Sequence, residues 1–193
     1  MKQEDDEFAL QAQLLEPPPP RKVYFDETLG EWELSRHLLR LANADQRMRL
    51  EGPPDPELDK RLASELREIV GRYGWPTVAK VGNQAAIAAF LIVQHADHDA
   101  VFQKECLTLM KSEETDPSTA ANLAYLEDRV RVNSGLSTLY GTQFWENPRG
   151  EYGPRPIEDP ANLNARRASV GLEPFEEYEK VMRELRRLKV TAA

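Results

Sequence analysis

The sequence predicts an all-α protein, a single-domain helical bundle with an irregular loop or short β-hairpin near residues 136–159. Three observations support this fold class. Apolar residues, mostly leucines, recur at helical spacing through most of the chain after residue 30. Residues 78–96 are apolar on almost every side, as expected of a helix at the centre of a bundle. The longest interruption of the helical pattern lies at residues 136–159.

Glycine and proline residues divide the helical pattern into segments. Gly52-Pro53-Pro54 separates the first two predicted helices, and Gly74-Trp75-Pro76 leads into the central one. We expect Pro76 near the first turn of that helix and the Trp75 indole partly buried beside it. The predicted helices cover residues 31–49, 56–73, 78–96, 98–113, 117–134, 160–170 and 174–189.

The interruption contains strand-favouring residues and strong turn signals. Tyr140, Phe144 and Trp145 are residue types that favour strands, and Asn147-Pro148-Arg149-Gly150 is typical of a turn. We therefore expect an irregular loop here, with room for a short hairpin.

Residues 1–30 differ in composition from the predicted helical domain at 31–190. Acidic residues at 4–7 are followed by Pro17 to Pro20, and four consecutive prolines favour an extended polyproline conformation. Two interpretations stay open. The segment is either a docking arm for a proline-binding module or a mobile, solvated arm.

Composition excludes several classes of protein. A net charge of −8 disfavours binding to nucleic acid and to anionic membranes. The longest apolar run, Ala85 to Val93, is much shorter than the ~20 residues of a membrane span.

Cys106 is the single cysteine, lies among apolar residues and is expected in the core. We expect a cytoplasmic protein. Because the sequence has no phosphate loop, dinucleotide fingerprint or paired-cysteine zinc pattern, we expect no cofactor and no metal.

The strongest candidate for chemistry is Gln94-His95-Ala96-Asp97-His98-Asp99, at the exit of the central helix. An imidazole transfers protons near neutral pH, so His95 is a candidate general acid or base with Asp97 orienting it. In the structural alternative, Asp97 caps the next helix and His95 donates to a backbone carbonyl. A metal site is a third alternative, because two histidines and two aspartates lie close together.

Two further groups could bind a ligand. Tyr140-Gly141-Thr142-Gln143 places a glycine among polar side chains in a loop, a composition shared by ligand loops and ordinary turns. Arginines that could hold a carboxylate or phosphate, or equally form interhelical salt bridges, stand in three places. They are Arg49 after Asp45-Gln46, Arg129 beside Asp128, and the pair Arg166-Arg167.

These segments together form an ordered set of short motifs across residues 34–187. The set comprises Asp45-Gln46 with Arg49, Gly74-Trp75-Pro76 with Val81-Gly82, Gln94-His95-Ala96-Asp97, Asp128-Arg129, Tyr140-Gly141-Thr142-Gln143, Ile157 with Asp159, and Arg166-Arg167 with Val170-Gly171-Leu172. In this set the chain resembles an uncharacterised bacterial family classified only as a domain of unknown function. The resemblance implies no known activity, cofactor or substrate. Its many polar motif residues imply a polar pocket.

Combining these observations, we predict an inter-helix pocket formed by residues from several segments. His95, Asp97 and Tyr140 are the candidate catalytic residues. The candidate ligand-binding residues are Gln143, Arg129, Arg166, Arg167, Asp128 and Arg49. The expected ligand is an anionic small molecule or a peptide. A non-catalytic receptor with the same pocket and a protein-interaction adaptor with a purely structural network are the alternatives.

Overall fold

The computed structural model describes residues 30–51, 53–147 and 149–192. In these ranges the chain forms eight α-helices and one small antiparallel sheet, which confirms the predicted all-α bundle with a short hairpin. The helices are α1 (Glu31–Glu51), α2 (Pro56–Tyr73), α3 (Val78–Val81), α4 (Asn83–Gln94), α5 (Ala100–Glu113), α6 (Ala120–Asn133), α7 (Leu163–Ser169) and α8 (Phe175–Ala192). The strands are β1 (Phe144–Glu146) and β2 (Tyr152–Pro154).

Helix α2 shows how local sequence sets the helix boundaries. The Asp55 carboxylate accepts from the amides of Glu57 and Leu58, and Pro56 occupies the first turn, where no amide donor is needed. Gly74, with a φ of 71°, ends the helix in a conformation that favours glycine. The predicted span of 56–73 is therefore confirmed.

The predicted single helix over residues 78–96 is wrong in one respect. It is two helices, α3 and α4, separated by Gly82 with a φ of 79°. An L-residue rarely adopts that angle, so the chain turns at this glycine. The burial prediction holds, because Phe90 and Ile92 are 6% and 2% exposed.

Helix α4 is the centre of the bundle and contacts α1, α2, α3, α5 and α6. Small residues such as Ala88 and Ala89 are fully buried and let neighbouring helices approach closely. Trp75 is only 1% exposed, so the indole is more deeply buried than predicted. Pro76 precedes the N-cap residue Thr77 and so lies just before the helix rather than in its first turn.

The C-terminal part packs as a second layer of aromatic residues around the hairpin. Strand β1 pairs with β2 so that Phe144 lies opposite Pro154. The Phe144 ring contacts those of Tyr152, Phe175 and Tyr178. Before the hairpin, the backbone of Thr138 bridges to Ile157. This bridge ties the start of the loop to the segment that follows the hairpin.

The predicted N-terminal arm, residues 1–30 with its acidic and proline-rich segments, lies outside the described residues except for Gly30. Within the described ranges, none of the helices has both the length and the apolar character that crossing a membrane requires.

Candidate functional site

A cleft of about 410 Å³ opens at one end of the bundle, where α1 and α4 end and α2 begins. Its polar lining comes from four parts of the chain: the last turn of α1, the first turn of α2, the connection between α4 and α5, and α6. The lining residues are Arg49, Pro56, Asp59, His95, Asp97, His98 and Arg129.

The His95 ring is held by Asp45, a residue 50 positions earlier in the chain. Its Nδ1 atom lies 3.0 Å from both carboxylate oxygens of Asp45 and 2.9 Å from Nε of Arg49. Nε of Arg49 can only donate and would need a bare Nδ1, whereas the Asp45 carboxylate can only accept and needs a proton there. We take the tautomer with the proton on Nδ1, because it satisfies Asp45 and leaves Arg49 to donate to the carboxylate. Arg49 Nε then donates to Asp45 Oδ1 at 3.0 Å. In the neutral ring, Nε2 is left as the basic nitrogen.

Asp45 is almost completely buried, with 1% of its side chain exposed. Burial alone would raise the pKa of this carboxyl. Hydrogen bonds and charge attraction from His95, and then from Arg49, outweigh burial and hold the pKa below its usual value. Gln46 adds a hydrogen bond of 2.7 Å to Oδ2. Asp45 is therefore a fixed anion behind the His95 ring.

Arg49 connects this pair to the α2 side of the cleft. Its Nη2 atom lies 2.9 Å from Asp45 Oδ1 and 2.7 Å from Asp59 Oδ1. The guanidinium group is thus shared between two carboxylates, which fixes its position but leaves it few donors for a ligand.

Asp97 has a different role from the predicted one. It was expected to orient His95, but Asp45 does so, and the carboxylate of Asp97 instead accepts from Arg129 at 2.6 Å. It also accepts from the amides of Gln103 and Asn133. In the structural alternative Asp97 would cap the next helix, but Asp99 occupies that position and accepts from the Phe102 amide.

Gln103 explains why the α4–α5 connection has a fixed shape. This side chain is fully buried, and its amide nitrogen donates to the last carbonyls of α4, those of Val93 and Gln94. Its oxygen accepts from Asn133 at 2.7 Å. A single buried amide therefore links the last carbonyls of α4 to the side chain of Asp97, which lines the cleft.

Arg129 is a cleft residue whose guanidinium group has hydrogen-bond donors without a partner among the described residues. Its Nη1 atom is occupied by Asp97, whereas Nη2 has no hydrogen-bond partner among the described residues. Its Nε atom is buried and also lacks an acceptor in this part of the chain. Because Nε is buried, Nη2 is the donor of Arg129 that an acceptor from a ligand in the cleft could use.

Asp128 organises a second network, centred on the backbone of residues 139–142. Its fully buried carboxylate accepts from the amides of Leu139, Tyr140 and Thr142 and from the Thr142 hydroxyl. A carboxylate that accepts four donors is saturated. Asp128 is therefore a structural residue of the loop.

Arg166 and Arg167 also contact this loop through its carbonyls. Arg166 donates to the carbonyl of Leu139 at 2.9 Å, and Arg167 donates to that of Tyr140 at 2.6 Å. Arg167 is fully buried, and Arg166 also contacts the carbonyls of Glu158 and Asp159. These contacts use the guanidinium groups to hold the backbone.

Tyr140 and Gln143 therefore belong to the second network. The lining of the cleft includes Arg49, His95, Asp97 and Arg129 from the predicted set, and it includes none of Tyr140, Gln143, Asp128, Arg166 and Arg167. Burial, and then the charges of Glu127 and Asp128, raise the pKa of the Tyr140 phenol. The phenol is therefore uncharged near neutral pH.

Sequence reasoning did not assign site roles to Asp45, Asp59, Gln103 and Asn133. Asp45 was recognised only as part of a motif with Arg49, and its spacing of four from Arg49 on one helix was the available signal. The other three are ordinary helix residues in the sequence. Only the packing of the helices brings Asp59 to the cleft, and Gln103 and Asn133 to Asp97.

Cys106 lies in the core, as predicted. Burial raises the pKa of its thiol to about 12, so it is not a nucleophile near neutral pH. In the described ranges, no group of three or more His, Cys, Asp or Glu side chains is arranged to hold a metal ion.

Comparison with known proteins identifies a family for most of this structure. No curated protein and no solved structure matches the chain. A family model, described as a family of unknown function (DUF6624), matches residues 55–191. The matched range contains His95, Asp97 and Arg129, whereas Asp45 and Arg49 precede it. Because the match spans well over half of the sequence, the chain belongs to this family of unknown function.

Proposed function

We propose that the protein is an enzyme in which His95 acts as general base and general acid on a molecule bound in the cleft. The single observation that supports this most is the pairing of Nδ1 of His95 with buried Asp45. A buried anion behind an imidazole fixes its tautomer and stabilises the imidazolium that forms when the ring takes a proton.

The proton would move through Nε2 of His95. This nitrogen has no hydrogen-bond partner among the described residues, and the ring lines the cleft. It would accept a proton from a water as the water oxygen bonds to the acyl carbon of a bound ester or amide. It would then donate that proton to the ester oxygen or amide nitrogen as the bond from that atom to the acyl carbon breaks. Arg129, whose Nη2 has no hydrogen-bond partner among the described residues and which lines the same cleft, would bind an anionic group of that substrate.

The proposal assigns the second network to positioning. Tyr140 and Gln143 were predicted to contact the ligand, but their loop is bound by Asp128, Arg166 and Arg167. We assign these residues the task of holding the C-terminal layer against α6, the helix that carries Arg129.

The first experiment tests the state of the His95 ring. Long-range ¹H–¹⁵N NMR spectra of the full chain should show the neutral ring with its proton on Nδ1. Asp45→Asn should alter that signature, because an amide no longer provides a second carboxylate oxygen. A proton on Nε2 in the wild-type protein would contradict the proposed role of Asp45.

The second experiment tests catalysis. We expect hydrolysis of at least one substrate in a panel of carboxylate-bearing chromogenic esters and amides, with the rate reduced at least about 100-fold by His95→Ala. His37→Gln is the matched control, because His37 lies on α1 like Asp45 but contacts Glu65 outside the cleft lining. Thermal melts verify that each variant is folded. A His95→Ala variant as active as the wild type would refute the proposal.

A further inference from the structure

We propose that the substrate of the cleft is zwitterionic, with an ammonium group that binds Asp59 and a carboxylate that binds Nη2 of Arg129. This inference rests on the proposed function and names the substrate class for the same site. Three features support it: the charge balance of the cleft, an acceptor on Asp59 without a partner among the described residues, and the placement of Asp59 and Arg129 on separate helices of the lining.

The charged side chains at the cleft have an excess of negative charge. Two guanidinium groups, those of Arg49 and Arg129, contact three carboxylates, those of Asp45, Asp59 and Asp97. When the histidines of the lining are neutral, two positive charges against three negative ones leave one negative charge. A substrate that has only an anionic group would be repelled, whereas a substrate that also has a cationic group supplies the missing positive charge.

Asp59 is the carboxylate at which this excess charge is available to a ligand. Asp97 has a guanidinium partner of its own at 2.6 Å, whereas Asp45 and Asp59 share the single guanidinium group of Arg49. Asp45 is buried behind the imidazole with 1% of its side chain exposed, so a ligand in the cleft cannot reach it. Asp59 lines the cleft and is 20% exposed.

Asp59 also has an acceptor for an ammonium group. Its Oδ1 atom accepts from Arg49 at 2.7 Å, and its Oδ2 atom has no hydrogen-bond partner in the part of the chain that the structure describes. An ammonium group has three donors and no acceptor, and a carboxylate has acceptors only. Hydrogen bonds between two such charged groups are stronger than those between neutral groups. A cationic amine therefore suits Asp59 better than a neutral or anionic group does.

The acceptor and the donor belong to different helices around His95. Asp59 lies on α2 and is linked to the imidazole through Arg49, which contacts both. Arg129 lies on α6 and is paired with Asp97, two residues after His95 in the chain. A substrate with both charged groups can contact both helices, which would fix its orientation relative to the imidazole.

The test compares three p-nitroanilides that differ only in their charged groups. The γ-glutamyl compound has an ammonium group and a carboxylate, the glutaryl compound lacks the ammonium group, and the γ-aminobutyryl compound lacks the carboxylate. Isothermal titration calorimetry measures their binding to the full chain, and the absorbance of released p-nitroaniline measures hydrolysis. The γ-glutamyl compound should bind at least about tenfold more tightly than either of the others, because each of these loses a charge-assisted hydrogen bond.

Two variants should separate the two contacts. Asp59→Asn should abolish the preference for the γ-glutamyl over the glutaryl compound but keep the preference over the γ-aminobutyryl compound, and Arg129→Met should do the reverse. Glu57→Gln is the matched control and should bind all three compounds like the wild type. It also removes a carboxylate from the first turn of α2, but Glu57 pairs with Lys60 and is not part of the cleft lining. Equal weakening of all three compounds by Asp59→Asn would overturn Asp59 as the ammonium site.

Further outcomes separate this proposal from the proposed function. Equal binding of the γ-glutamyl and glutaryl compounds, or no binding of any of the three at millimolar concentration, would overturn the zwitterion as substrate. Turnover of other esters or amides that depends on His95, without a preference for the γ-glutamyl compound, would refute the substrate class and leave the general base standing. Binding of the γ-glutamyl compound that depends on Asp59, without any turnover that depends on His95, would support the zwitterionic ligand and refute catalysis.

Discussion

Asp128 and Arg129 are neighbours on α6, yet their side chains belong to two separate polar networks. Asp128 accepts the amides of the 139–142 loop, whereas Arg129 donates to Asp97 at the cleft. The side chains of successive helix residues point about 100° apart, so two neighbouring residues can contact different parts of the protein. The C-terminal layer and the cleft are therefore joined through one turn of α6.

Asp128→Asn should destabilise the protein by about 3 kcal/mol, in the range for removing one partner of a buried charged network. The asparagine amide would face backbone amides that need acceptors. Hydrogen exchange of the amides of Leu139, Tyr140 and Thr142 should accelerate more than that of α2. Asp116→Asn is the control, because asparagine also serves as a helix cap at that half-buried position. Unchanged exchange of the loop amides would contradict the role of Asp128.

Asp45→Asn should destabilise the protein at neutral pH but much less in acid. Burial raises the pKa of the Asp45 carboxyl, but His95 and Arg49 lower it by more. In the folded protein this pKa therefore lies below the ordinary value of 3.8. The carboxylate therefore contributes its full stabilisation above about pH 4 and loses it as pH falls through the folded pKa. Urea unfolding should show a difference of about 3 kcal/mol between wild type and variant near pH 7. That difference should shrink steadily toward pH 3. A difference independent of pH would mean that the charge of Asp45 is not what stabilises the site.

Cys106 should not react with a thiol reagent in the folded protein. Its thiol is buried and its pKa is raised to about 12, so at pH 8 almost no thiolate is present and the reagent has no access. Ellman's reagent should modify the thiol in full once urea unfolds the chain. Rapid modification under native conditions would show that the α5 core opens frequently.

Gly141→Ala should destabilise the protein more than Gly82→Ala. Both glycines have positive φ, 67° and 79°. A β-carbon at Gly141 would also lie 2.9 Å from the Phe175 ring, whereas one at Gly82 would meet nothing within 4 Å. We expect a loss of about 1–3 kcal/mol for Gly82→Ala from backbone strain alone, because its ψ of 161° places it in a region that glycine almost alone adopts. For Gly141→Ala we expect overlap with the ring to add about 1–3 kcal/mol to the backbone strain. Equal losses in thermal or urea unfolding would show that the ring moves aside without cost.

The helices could be predicted from the sequence because the residues that define each helix lie close together in the chain. The spacing of Leu62, Leu66 and Ile69, with Asp55 and Gly74 at the ends, is enough to define α2. The break at Gly82 was missed because apolar residues on both sides of it suggest one continuous buried helix.

The site could be predicted only in part because its contacts are distant in sequence. The residue type and position of His95 identify it as a candidate in the sequence. Its partner Asp45 can be identified only from the structure, because the packing of α1 against α4 brings the two together. The sequence also does not specify whether an arginine donates to a ligand or to the backbone. Arg167 is fully buried against the carbonyls of Tyr140 and Glu173, whereas Arg129 lines the cleft.

Helix α1 contributes both the anion behind His95 and part of the hydrophobic core, through Leu34, Leu38 and Leu41. A fragment that starts at residue 55, where the family match begins, would lose both at once. The remaining helices would expose the apolar face of α4 to water, and the imidazole would lose the carboxylate that fixes its proton. The residues that complete the core and the residue that holds the His95 ring therefore stand on the same helix, so a change that displaces α1 would disturb stability and the cleft together.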